Sequence, residues 1–520
     1  MTNSQIPPCA IGDRIECGNS FGTIRYVGPI DGKPSIWLGI EWDEPERGKH
    51  DGNVNGIQYF TAKNPKSGSF VRPEKVNFGR SAIASIESRY GQVEDEFTTR
   101  INQQKQLLVQ QTMNAPFLEM VGFDKVFNKQ SNLNTLRIVN LRDQNVKSAG
   151  PQFKLSQTCP NIEELDISKN LLVSWEDVLV MCDQLPHLHW LNVSENLLTL
   201  PESLGDRKFP NVKTLICGAM ELNWTDVCEI ARIFHGLEEF RAPHNKIESL
   251  SPPRGIFNNL QLLDIEGNKI QYWSEVCKLS AAPVLEQLIL ENTGLSSIEF
   301  EGNERKVPMF RTLKKLCIVN NLLSEWRSIG ELNRLENLDH LKISKNPVTE
   351  TERPDTTYQI IIAKIANLKI LNGVEIEPGE RRGAEYDYIK KYGLEWLKVK
   401  GTEWESEFLR SHNRYLELIH KYGEPEESEL TMKATVIQNS LIELNIVYED
   451  FVVHKKMPPT ITIQKLMVLT QKIFSLSERP QLTYVSNADS QIEIPLKDEM
   501  KEIGAYSIQN GDKILVKSCS

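Results

Sequence analysis

One hydrophobic pattern recurs through the middle of this 520-residue chain and restricts its fold more than any other feature. The pattern is L-x-x-L-x-L-x-x-N-x-L, with the apolar positions held and the spacers free. It opens at Leu136, Ile162, Leu188, Val212, Leu237, Leu260, Leu285, Leu313 and Leu338, at intervals of 23 to 28 residues. A unit this short cannot bury its apolar side alone, so successive units must stack into a solenoid around one continuous core. Each unit supplies a short strand, and stacking aligns the strands in a parallel sheet whose alternate residues point out on the concave side. The central outward positions are then Asn140, Asp166, Asn192, Ile216, Arg241, Asp264, Ile289, Cys317 and Lys342, flanked by Trp190, Glu266, Glu291 and Lys315. Acidic, apolar and basic side chains are mixed there, which suits a protein partner better than a polyanion.

The asparagine of the pattern is filled by Asn170, Asn196, Asn245, Asn268, Asn321 and Asn346, where a buried amide can satisfy backbone groups of the turning chain. Gln144, Met220 and Thr293 depart from it, and their coils are expected to be looser or reshaped. The pattern resembles the leucine-rich repeats, which places an α/β solenoid over residues 116–375. The run Leu368–Gly373 followed by Glu380–Tyr386 resembles the helical C-terminal cap of that family, over 376–424. Trp404, Phe408, Tyr415, Leu418 and Ile419 fall at near-helical spacing and should pack onto it.

Residues 10–79 read differently. Glycine is dense, and short β-type runs such as Thr23–Val27 and Ile36–Trp42 lie between turn residues, the mark of a small antiparallel β domain. From Arg47 to Arg80 seven basic residues face two acidic ones, a formal +5 within a chain of net charge -10. Phe21, Trp37, Trp42, Tyr59 and Phe70 offer more aromatic surface than so small a core needs. The fitting ligand is acidic with an aromatic tip.

The loop Gly48-Lys49-His50-Asp51-Gly52 with these aromatics resembles the CAP-Gly domain, a family whose groove binds the C-terminal Glu-Glu-Tyr/Phe of α-tubulin. By that resemblance Lys49 pairs with ligand carboxylates, and Gly48 and Gly52 permit close approach. Phe21, Trp37, Trp42 and Phe70 line an aromatic pocket, with Asp51 and Arg72 at its edge. His50 stands where most of the family has Asn. A neutral imidazole donates from one nitrogen only, so affinity is expected to vary near pH 6.5.

Residues 80–115 are polar and Gln-rich, with Ile83, Ile86, Tyr90, Val93 and Phe97 at roughly helical spacing, and read as a helical linker. After an acidic hinge at Glu424–Glu429, residues 433–520 run strand, strand, helix, strand. Ile442–Tyr448 alternates at period two, and Ile463, Leu466, Met467, Thr470, Ile473 and Phe474 share a helical face. This order resembles the ubiquitin-like β-grasp, an α+β fold. The tail Lys517–Ser520 carries no Gly-Gly, so the domain reads as a recognition module that docks a sister cofactor or the proteasome.

Nine singly spaced cysteines without a CxxC pair read as reduced thiols. No apolar run approaches the roughly 18 residues that span a bilayer, and the net charge argues against nucleic acid, so no membrane or nucleic-acid partner is expected. Phosphate-loop, zinc-protease and nucleophile-elbow motifs are missing, so neither catalysis nor a cofactor or metal is expected; His187 and His189 merely flank the repeat position Leu188. The three modules in this order resemble the tubulin-folding cofactor E family. That resemblance implies a cytoplasmic, cytoskeleton-associated protein that captures α-tubulin and works with other tubulin cofactors to assemble or take apart the αβ heterodimer. In this reading the first module tethers the acidic tail through a short spacer while the repeats hold the body. A microtubule-end adaptor and a shuttle to the proteasome are the competing readings.

Overall fold

The computed structural model describes residues 9–91, 132–200, 207–302, 304–425, 430 and, with short gaps, 441–517. They fall into two compact units, one running to Glu424 and one starting at Pro425.

The first unit opens with a small all-β module. Strands Arg14–Cys17, Ser20–Ile30, Lys33–Trp42 and Gly68–Val71 pair antiparallel in that order. Asp31-Gly32 makes the tight turn between the two long strands, with Gly32 at a positive φ of 72°. Ile15, Ile24, Leu38, Ile40 and Trp42 form the core on one face of this sheet.

The chain then enters the solenoid without a spacer. Arg80–Ser81 pairs parallel with Val146–Ser148 of the first coil. The helix Ala82–Tyr90 follows at once, capped by Ser81, whose Oγ accepts the Ala84 N–H at 3.2 Å. Ala82, Ile83 and Ile86 join the solenoid core. The linker expected over 80–115 is therefore corrected in its first part: among the described residues Ile83 and Ile86 pack into the solenoid core beside the first coil. Val93 and Phe97 lie outside the described residues.

Among the described residues the solenoid sheet has 11 strands. All nine coils read from the sequence carry one, from Ile138–Asn140 to His340–Lys342, and their registers run side by side. A tenth parallel strand, Ile370–Leu371, follows the nine repeats. It reverses at once into Val374–Glu375 through Asn372 and Gly373, both left-handed at φ 51° and 88°. On the convex side, helices begin at Trp175, Trp224, Trp273 and Trp326, one in every second coil. The first three of these indoles are buried.

The asparagines form a ladder. Asn170 Oδ1 accepts the N–H groups of Gln144 and Val146 at 3.1 and 2.8 Å, while its Nδ2 donates to Leu141, Ile167 and Ser168 carbonyls. Asn245 accepts from Met220 and Leu222, and Asn321 from Thr293 and Leu295. The expectation that the coils of Gln144, Met220 and Thr293 are loose is thus overturned. Each takes its turn hydrogen bonds from the asparagine of the next coil, and Met220 and Thr293 are both 3% exposed.

Helices Pro378–Val399, Glu405–Ser411 and Tyr415–Tyr422 close the far end around Tyr388, Ile389, Trp396, Phe408, Tyr415 and Leu418. Trp404 does not join them; it precedes its helix and is 63% exposed. Glu385 is buried and held by Arg414 at 2.9 Å, Lys421 at 2.7 Å and the Tyr422 hydroxyl at 2.7 Å. A buried carboxylate needs such partners to stay charged.

The second unit sets the hairpin Ile442–Tyr448 and Phe451–Met457, the helix Ile463–Ile473, and strands Gln481–Val485, Glu493–Pro495 and Lys513–Lys517 in one α+β domain. The last strand lies parallel to the first at the centre of the five-stranded sheet, which is the β-grasp arrangement. Ile463, Leu466, Met467 and Thr470 are the buried face of its helix.

Candidate peptide-binding groove and concave face

The loop at Gly48–Gly52 is pinned by its own chain. Lys49 N–H donates to Gly68 O at 2.7 Å, Gly68 N–H to His50 O at 2.7 Å, and Ala62 N–H to Asp51 O at 2.9 Å. A Cβ on Gly48 would lie 2.5 Å from Gly68 backbone atoms, and one on Gly52, at φ 102°, would lie 1.9 Å from Phe60 O. The close approach that these glycines permit is to their own neighbours, which fixes the loop before any ligand arrives.

His50 carries this order into an aromatic cluster. Its Nδ1 accepts the Gly52 N–H at 3.0 Å, so in the neutral ring the proton sits on Nε2. The imidazole centre lies 5.4 Å from that of Phe70 and 6.2 Å from that of Phe60. Burial lowers the His50 pKa from its ordinary value; Asp51 opposes this and Lys49 adds to it. Any pH effect on the groove therefore moves to the acid side of the 6.5 expected from the sequence.

Around Phe70 stand Tyr59 at 5.3 Å, Phe60 at 5.7 Å and Tyr26 at 6.0 Å. Gly39 pairs across from both Tyr26 and Phe70, and a Cβ there would meet the Phe60 ring at 2.6 Å. Two residues along the strand from Gly39, on the same face, Trp37 lies under Arg72 and Lys33, at 5.1 and 4.9 Å from its ring. Lys49 and Arg72 are exposed; Lys49 makes no ion pair among the described residues, and Arg72 reaches only Glu74 at 3.7 Å. Two other cations of this basic stretch are engaged elsewhere. Arg47 stacks on Trp42 at 3.9 Å and donates to Cys17 O, while Lys63 faces Glu221 of the solenoid.

Two pocket residues expected from the sequence lie elsewhere. Trp42 is five residues from Trp37 in one strand, so pleating sends it to the opposite face, where it is 3% exposed in the module core. Phe21 sits at the far end of the sheet, with Lys169 of the solenoid 5.6 Å from its ring. Tyr26 and Phe60 take their places in the cluster and were missed. The signal for them was Gly39, a small residue in mid-strand where aromatic side chains close over the backbone.

The concave face carries its residues in one lateral row, with Asp166 beside Asn192, Arg241 beside Asp264, and Lys342 beyond Cys317. Asp166, Asn192 and Asp264 each accept a backbone N–H two residues on, at 2.9 to 3.1 Å, which fixes their carboxyl or amide planes. Arg241 bridges Glu239 and Asp264, the latter at 3.2 Å. Burial, then Glu291 and Asp264, raise the Glu266 pKa. The face is therefore acidic at its centre, basic towards Lys315 and Lys342, and partly apolar through half-buried Trp190, Ile216 and Ile289.

The CAP-Gly domain model matches residues 11–76, the span of this β module. Tubulin-specific chaperone E of Bos taurus is 38% identical over 532 residues, covering 99% of this chain and 100% of the relative. The chain belongs to the tubulin-specific chaperone E family. Its Homo sapiens member is 37% identical, with 98% of each chain covered, and its Drosophila melanogaster member 32% identical, again with 98% of each. This member of the tubulin-specific chaperone E family thus matches its relatives over nearly the full length, so the β module, the solenoid and the β-grasp unit all lie within the shared length. Among its described residues no helix is long and apolar enough to cross a membrane, and no cluster of three or more His, Cys, Asp or Glu has the arrangement of a metal site.

Proposed function

We propose that this chain is a tubulin-folding cofactor of the cytoplasm. It binds α-tubulin and acts with other tubulin cofactors in assembling and taking apart the αβ heterodimer, and so governs microtubule supply. The observation that carries the reading is the groove. A tight aromatic cluster of Tyr26, His50, Tyr59, Phe60 and Phe70 lies beside an exposed Lys49 that makes no ion pair among the described residues, which is the chemistry an acidic chain end with an aromatic tip requires. The mixed concave face, with Asp166, Trp190, Asn192, Arg241, Asp264, Glu266, Glu291 and Lys342, then holds the tubulin body. The work is binding and conformational exchange, without a catalytic residue of its own, and the β-grasp unit recruits a sister cofactor or the proteasome.

Titration of the full chain with a peptide ending Glu-Glu-Tyr tests the groove. The reading requires saturable binding that weakens about tenfold or more in Lys49→Glu. Equal affinity for the two proteins would remove it.

A further inference from the structure

The β module and the first coils are joined by a very short, tightly packed connection. Asn77 is the last residue tied to the module sheet, its N–H donating to Glu16 O at 2.8 Å, and Arg80 N–H already donates to Asn145 O of the first coil at 2.9 Å. Only Phe78 and Gly79 lie between. Phe78 packs on the module core, and Gly79 is folded at φ 79° with its N–H on Asn77 Oδ1 at 3.0 Å. A Cβ on Gly79 would meet Asn145 O at 2.6 Å and the Leu171 side chain at 3.0 Å. The corner is closed, with no slack on either side.

A second contact lies away from this corner. Lys63 Nζ is 3.6 Å from Glu221, which Lys246 also holds at 2.8 Å, and Lys169 approaches the Phe21 ring. At this second contact lies a cleft of about 410 Å³, lined by Phe21, Lys63, Lys169 and Glu221 with Arg14 and Asp43. An exposed ion pair contributes little by itself. It suffices here because the backbone join already removes most of the freedom, leaving only a residual swing to restrain.

From this geometry we infer that the groove and the concave face are one rigid two-point reader, not a tether and a body joined by a linker. The inference rests on the groove and face readings above and adds the state of the partner. A rigid pair of sites gains affinity only from a partner that presents its acidic tail and its docking surface in one arrangement, which selects a folded client over a free tail or an unfolded chain.

Two measurements on the full chain decide it. Zero-length carbodiimide coupling should join Lys63 to Glu221, read by mass spectrometry, and this join should disappear when four Gly/Ser residues are inserted between Gly79 and Arg80. No such product in the unmodified chain overturns the docking. The same insertion should leave affinity for a Glu-Glu-Tyr peptide unchanged while weakening binding of intact αβ-tubulin about tenfold. Undiminished tubulin affinity overturns the rigid reader. If the peptide fails to bind the unmodified chain, the groove reading falls, and the cross-link still decides the docking.

Discussion

The Nδ1 of His50 accepts the backbone N–H of Gly52 at 3.0 Å, and this contact ties the protonation of one side chain to the shape of the loop. Protonating the imidazole turns that acceptor into a donor and breaks the bond. The unfolded chain takes up its proton near pH 6.5 and the folded one only at lower pH, so module stability falls as pH drops through the interval between them. An NMR titration of His50 should give a midpoint below 6.5, and a midpoint at or above it would contradict the geometry.

Lys49 is exposed and free of ion pairs among the described residues, so the proposed function assigns its charge to binding and none of it to folding. Lys49→Glu should shift urea unfolding by less than about 0.5 kcal/mol. Raising salt should narrow the gap in peptide affinity between the two proteins, as screening predicts.

The asparagine ladder gives a larger effect. Removing the Asn321 amide leaves the buried N–H groups of Thr293 and Leu295 and the carbonyl of Leu290 without this partner. The Leu290 carbonyl keeps the Thr293 hydroxyl, so at about 1–3 kcal/mol for each of the two N–H groups Asn321→Ala should cost about 2 kcal/mol or more in equilibrium unfolding. Asn320→Gly, on the exposed side of the same turn and able to keep its left-handed φ of 55°, should cost under about 1 kcal/mol.

His412 in the helical cap gives the steepest acid response. Its Nδ1 lies 2.7 Å from the Tyr388 hydroxyl, its ring centre is 4.2 Å from Tyr392 and 4.4 Å from Phe408, and burial aided by Lys364 pushes its pKa down to about 3. Below pH 6.5 the unfolded chain binds a proton that the folded chain refuses. Stability should therefore fall as pH drops through 6.5, by roughly half of 1.4 kcal/mol between pH 7 and 6 and with a slope approaching about 1.4 kcal/mol per unit from pH 6 down. The difference between wild type and His412→Phe, followed by urea unfolding at pH 7, 6 and 5, should show that slope.

The solenoid was legible because its pattern is a covalent spacing. Once Leu136, Ile162 and their successors fix the register, the outward row from Asn140 to Lys342 follows from strand parity. The same parity would have excluded Trp42 from the groove, since it lies five residues from Trp37 in one strand. What the spacing could not supply was contact between distant segments. That Phe21 meets Lys169, that Ile83 and Ile86 seal the first coil, and that Phe60 closes over Gly39 depend on tertiary packing with no local period. Asn372-Gly373 is a readable turn signal, but the apolar spacing breaks there, so the repeat pattern marks no tenth coil although the solenoid bounds of 116–375 include its strand.

The proposed function stands on this chain engaging α-tubulin within the heterodimer. The most direct measurement mixes the purified full chain and the other tubulin cofactors with αβ-tubulin, and follows by native separation whether α-tubulin leaves β-tubulin. Release should require the chain and be strongly reduced by Lys49→Glu and by the concave-face change Asp264→Lys. A heterodimer that stays intact and unbound at saturating chain and cofactors would contradict it.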